Sequence, residues 1–102
     1  MRPDDISDVF CSPLRLSILA GLISRSLLFS ELRELTGATD GNLSVQLSKL
    51  QKKGMITAHK RIHQNKLVTL YEITPLALRE FETYVETLES ILRAKDANDR
   101  DV

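Results

Sequence analysis

Three things are scarce or missing in this 102-residue chain: cysteine, long apolar runs and, between Gly41 and Tyr71, any acidic residue. The single cysteine, Cys11, cannot close an internal disulfide or build a metal cluster. It is expected to be a small packed residue; a redox role would need exposure and a lowered pKa. No apolar run approaches the roughly 18 residues that span a bilayer, and the amino terminus lacks a signal-peptide pattern. A cytoplasmic chain with no membrane partner is expected. Also lacking are a nucleophile beside a base, paired catalytic carboxylates and a glycine-rich phosphate loop, which argues against an enzyme and implies no cofactor.

Net charge is missing too, with 14 basic and 14 acidic residues. The balance hides a segregation. Six bases (Lys49, Lys52, Lys53, Lys60, Arg61 and Lys66) fall in the acid-free stretch, so the rest of the chain is acidic on balance. A one-signed segment describes what the molecule attracts locally, which net charge does not.

At 42% hydrophobic and 27% charged, the composition is that of one ordinary globular domain, since single cores occupy about 100–150 residues. Residues 12–74 read as its core, 75–94 as a final helix and 95–102 as a flexible tail. Residues 1–11 suggest a short, loosely packed helical turn. Ser12 and Pro13 then form a helix start, serine as cap and proline where its missing N–H does no harm. The stretch LRLSILAGLI is apolar almost all round, so residues 13–24 are placed at the centre of the core. Ser30 is expected to cap a short second helix ending at Gly37, and Thr39 to cap a third running to about Lys53. Two helices joined by so short a turn cross steeply, as a helix-turn-helix. From Met55 the residues turn β-branched around a polar tip, giving a two-stranded hairpin with Gln64, Asn65 and Lys66 near its turn. Thr74 and Pro75 restart a helix to about Ala94. The expected fold is mainly α with a two-stranded β-wing, in the order α-α-α-β-β-α.

On the third helix, Leu43, Leu47 and Leu50 share one narrow edge at about 100° per residue. Gly41, Asn42, Val45, Ser48, Lys49 and Lys52 project on the opposite side, with Ser44 and Gln46 on the flanks. A helix lying in the DNA major groove needs such a slim, hydrogen-bonding face without carboxylates. Asn42 and Gln46 match adenine N6 and N7 bidentately, and Val45 matches a thymine methyl. Ser44 and Ser48 can donate to base or phosphate, while the lysines suit phosphate. No arginine stands on this face, so A·T-leaning readout is expected. Lys60, Arg61, His63, Gln64, Asn65 and Lys66 make the hairpin a basic ribbon able to touch the backbone or enter the minor groove. His59 and His63, about 13 Å apart on a strand, are too distant to share one metal.

On the last helix, Leu78, Phe81, Val85, Leu88 and Leu92 repeat at heptad spacing, and Ala77, Tyr84 and Ile91 form a second row. One row is expected to pack on the parent domain and the other on a second copy. The dimerisation set is thus Leu78, Phe81, Tyr84, Val85, Leu88, Ile91 and Leu92. A twofold dimer would present two recognition helices to successive major grooves, about 34–36 Å apart.

Three stretches, CSPLRLSILAGL, ELRELTGATDGNLSVQLSKLQKKGMI and LYEITPLALREF, resemble small winged-helix transcriptional regulators related to the MarR and ArsR families. The resemblance covers residues 11 to about 82. It implies cytoplasmic homodimers that bind operator DNA, usually as repressors. By position it puts Thr39, Gly41, Asn42, Ser44, Val45, Ser48 and Lys49 at the groove, and Arg61, Asn65 and Lys66 in the wing. The chain departs from the pattern at Cys11, where relatives often have histidine, and at Val45, where many have arginine. It also lacks the wing Asp-Arg pair and the ArsR-type cysteine metal motif. Operator sequence and any effector ligand are therefore not transferred. A winged-helix module that binds protein instead of DNA is the competing reading.

Overall fold

Ser12 starts the first long helix as expected: its Oγ accepts from the Arg15 N–H at 3.3 Å, with Pro13 in the first turn. The computed structural model describes residues 8–100. In chain order the elements are a short 3-10 helix (Asp8–Cys11), α1 (Pro13–Ser24), β1 (Leu27–Leu28), α2 (Phe29–Thr36), α3 (Asp40–Lys52), β2 (Ile56–His63), β3 (Lys66–Ile73) and α4 (Pro75–Arg100). The expected turn in residues 1–11 is present at its end, and residues 1–7 lie outside the described ones.

The α-α-α-β-β-α order holds, with one addition. Leu27 and Leu28 pair antiparallel with Tyr71 and Leu70, so the hairpin becomes a three-stranded sheet of order β1-β3-β2. Two residues carry no periodicity, which is why this strand has no signature in the sequence. Pairing places Leu27 beside Tyr71 on the covered face, and both are buried.

Helix α1 is less enclosed than its composition suggests. Ile18, Leu19 and Leu22 are buried, but Ser17, Ala20 and Ile23 are exposed. So small a domain cannot surround a helix on every side. Cys11 is likewise exposed rather than packed, because the 3-10 turn spends its inward positions on Val9 and Phe10.

Helix α2 begins one position before the serine expected to cap it. Leu28 occupies the cap position, and Glu31 closes the turn instead, its Oε1 accepting from the Leu28 N–H at 2.9 Å. That N–H bond, followed by the Arg25 guanidinium 3.0 Å from Oε2, holds the Glu31 carboxyl below its ordinary 4.5 against the opposing effect of desolvation. A depressed carboxyl stabilises the fold above its ordinary pKa and ceases to do so as pH falls through the folded value. Glu31→Ala should therefore cost about 1 kcal/mol at neutral pH, and the gap to wild type in urea melts should shrink below pH 4.5. A gap that stayed constant down to the acid limit would remove this role.

Gly37, in the left-handed region at φ 68°, ends α2 as expected, and its N–H donates to the Arg33 carbonyl at 2.9 Å. Thr39 Oγ1 accepts from the Asn42 N–H at 3.2 Å and opens α3. The core gathers under that helix: Leu43, Leu47 and Leu50 are fully enclosed against α1 and β2. At the far end Thr74 Oγ1 accepts from the Ala77 N–H and donates to the Gly54 carbonyl, tying the start of α4 to the end of α3.

Two expectations for the last helix need correction. It continues past Ala94 to Arg100, where a flexible tail was expected. The sequence after Ala94 contains neither glycine nor proline, and the adjacent Glu89–Arg93 pair at 3.6 Å suits helix spacing. Positions 101–102 lie outside the described residues. The two apolar rows are also regrouped. Phe81 leaves the heptad seam and joins Ala77 and Tyr84 against the domain's own core, where Phe10 stacks on Tyr84 at 4.8 Å and meets Phe81 edge-on at 5.6 Å. Ala77, Phe81 and Tyr84 are spaced four and three apart, which sets them on one helix face.

Candidate nucleic-acid interface

Because the apolar anchor of α3 is its leucine edge, Gly41, Asn42, Ser44, Val45, Ser48, Lys49 and Lys52 are all exposed, as is the capping residue Thr39. A side chain at Gly41 would meet nothing within 4 Å, so its absence leaves the first turn slim without serving the protein's own packing. Gln46 differs from the others. It is half-buried on the flank toward α1, where its Oε1 accepts from Arg15 Nη1 at 3.3 Å.

Two carboxylates lie near this surface, one in the first turn of α3 and one from the 3-10 turn. Asp40, at the positive end of the α3 dipole, pairs with Arg33 at 3.1 Å. Asp8 approaches Lys53 at 3.8 Å, a loose contact with both side chains largely in water. Among the described residues no ion pair engages Lys49, Lys52, Lys60, Arg61 or Lys66, and Lys60 Nζ donates to Thr69 Oγ1 at 3.3 Å. The positive character of the outer face is therefore not cancelled by these pairs.

The hairpin tip is a two-residue turn with Gln64 at φ 52° and Asn65 at φ 63°, the double left-handed geometry that matches strand twist. Its register divides the basic residues. Lys60 opposite Thr69 and Ile62 opposite Leu67 share one face; Arg61 opposite Val68 and His63 opposite Lys66 share the other. The ribbon is thus basic on both sides rather than along one. On the second side Arg61, His63 and Lys66 border an open groove of about 920 Å³, closed by Arg25 and Glu31. Among the described residues no three His, Cys, Asp or Glu side chains are grouped to hold a metal ion.

A family model of the winged helix DNA-binding domain matches residues 14–92. The chain belongs to that family. Its α2–α3 pair is the helix-turn-helix and its β2–β3 ribbon the wing. An uncharacterized protein of Methanocaldococcus jannaschii is 32% identical over 78 residues, 76% of this chain and 85% of that protein. A transcriptional regulator homologue from Pyrococcus horikoshii is 26% identical, with a TM-score of 0.79 over 88% of this chain and 90% of that one. The transcriptional repressor BigR of Xylella fastidiosa, at 21% identity and a TM-score of 0.65 over 80% and 82% of the two chains, shares the fold. The winged helix found here agrees with the fold class read from the sequence.

Sequence reasoning missed Arg15 and Arg33, which come from outside the acid-free stretch yet adjoin α3. Arg15 is 31 positions from Gln46, so no local pattern links them. It also missed an apolar pair on the wing, Ile62 and Leu67, 73% and 67% exposed. Beyond the wing, no helix among the described residues is long and apolar enough to cross a membrane.

Proposed function

We propose that this winged helix protein is a homodimeric transcriptional regulator, acting as a repressor, with α3 in the major groove and the wing on the backbone or in the minor groove. The outer face of α3 carries the reading: an exposed amide, two hydroxyls, a valine and two lysines, with no carboxylate between Gly41 and the wing tip. Thr39, Gly41, Asn42, Ser44, Val45 and Ser48 are assigned to the groove. Lys49, Lys52, Lys60, Arg61 and Lys66 are assigned to phosphate, with Gln64 and Asn65 at the wing tip. Homodimerisation is supported by α4, where Leu78, Val85, Leu88, Ile91 and Leu92 remain 38–63% exposed after the domain's own packing is complete. Phe81 and Tyr84, bound to Phe10, are withdrawn from that set.

A salt titration of duplex binding tests the DNA reading. A dimer with six or more phosphate contacts should lose on the order of 10³-fold in affinity between 50 and 200 mM salt. Lys49→Ala and Arg61→Ala, each removing one contact per protomer, should weaken binding to all sequences and flatten that slope by about two each, whereas Asn42→Ala should cost about 1–3 kcal/mol per half-site chiefly at the preferred site. An Asn42→Ala variant with unchanged sequence preference would overturn the assigned helix face. The exposed Ile62–Leu67 pair favours a second reading, a module that binds protein through its wing. Absence of duplex binding at low salt would select it.

A further inference from the structure

We infer that Arg15 fixes the orientation of the Gln46 amide, so that Gln46 presents a hydrogen-bond donor to DNA and selects guanine or thymine instead of adenine. The inference rests on α3 being the recognition helix. Arg15 lies in the first turn of α1 and its guanidinium is held at three points. Nε donates to the Val9 carbonyl at 3.1 Å, Nη2 to the Asp8 carbonyl at 3.0 Å, and Nη1 to Gln46 Oε1 at 3.3 Å. The turn supplying the two carbonyls is itself pinned by Phe10, buried among the α4 aromatics. The direction of Nη1 is therefore set before DNA arrives.

A guanidinium has five donors and no acceptor, so only the carbonyl oxygen of an amide can face it. The two polar atoms of Gln46 lie on opposite sides of Cδ. With Oε1 held by Arg15, the Nε2 amino group is the polar atom left for DNA, and half-buried Gln46 adjoins exposed Asn42 and Lys49 at helical spacings of four and three. A bidentate adenine contact needs both a donor for N7 and an acceptor for the N6 amino group. Here the acceptor is occupied and turned inward. The remaining N–H groups match the paired N7 and O6 acceptors of guanine or the O4 of thymine, whereas adenine offers them N7 alone and sets its N6 amino group against them donor to donor. This reverses the adenine preference that the residue type alone suggests. Arg15 acts through Gln46 and is a positioning residue.

The test is selection from a randomised duplex pool followed by sequencing of the bound fragments, using the full chain and four variants. Wild type should enrich guanine or thymine at one position of each half-site, and Gln46→Met should erase the preference at that position only. Arg15→Met frees the amide and should move the position toward adenine by on the order of tenfold. Gln46→Glu keeps a carboxylate oxygen on Arg15 and presents another outward, so it should select cytosine, whose N4 donates. Should Arg15→Met fold poorly by circular dichroism, Gln46→Glu and Arg15→Lys carry the test, and substituting 7-deazaguanine at the selected position should weaken wild type but not Gln46→Met. Adenine at that position in wild type, or identical profiles for wild type and Gln46→Glu, overturns the inference. Wild-type binding that is absent at low salt overturns the DNA reading itself, whereas steep salt dependence with an unaltered Gln46→Glu profile sinks the orientation argument alone.

Discussion

Val85→Asp combined with Leu88→Asp should give an 11.5 kDa monomer in sedimentation at micromolar concentration, where the proposed wild-type homodimer should sediment at twice that mass. Both side chains are exposed on α4, 38% and 40%, and belong to no part of the domain's own core. The double variant should therefore keep its helical circular dichroism spectrum. Two carboxylates placed in an apolar seam face desolvation without a partner, beside the existing Glu82, Glu86 and Glu89. Losing the second protomer removes the second half-site contact, so affinity for the full operator should fall by on the order of 10²–10⁴-fold, while weak non-specific binding persists. A variant that still sediments as a dimer places the interface elsewhere, with the exposed Ile23 of α1 the next surface to alter.

Leu47→Ala should have the largest effect on stability, about 2–5 kcal/mol in urea denaturation. Leu47 is 1% exposed at the centre of the apolar edge by which α3 enters the core, between the fully enclosed Leu43 and Leu50. That edge packs against both α1 and β2, so the truncation leaves a cavity within the core. Domains of this size are stable by only about 5–15 kcal/mol, so the variant would lose a large part of its margin. Val45→Ala is the control, on the same helix but half exposed, and should change stability by no more than about 0.5 kcal/mol. Equal destabilisation by the two substitutions would mean that α3 is rotated from the orientation described.

Both predictions depend on features that are visible in the sequence to different degrees. The cap at Thr39, the leucine edge of α3 and the left-handed glycines at 37 and 54 are local events, decided within three or four residues. The α2 start was misplaced because serine and glutamate can each satisfy a helix beginning, and here Glu31 does so from inside the first turn. The α4 rows were mixed because an apolar residue at a heptad position reads alike whether it meets Phe10 or solvent. Cys11 and the outer side of α1 went wrong for one reason: composition ranks residues by their preference for the interior but does not say how many neighbours a small fold can supply.

By itself, the chain's order of residues determined the helices, the ribbon, the turn chemistry and the gathering of positive charge on α3 and the wing, since each is set by short-range geometry and side-chain type. Only the tertiary structure decided which aromatic residues of α4 close the domain, which leucines remain outside, how the wing's bases divide between two faces, and that Arg15 reaches Gln46. Those outcomes hang on contacts between residues tens of positions apart, where packing and hydrogen-bond direction, not sequence spacing, select the partner.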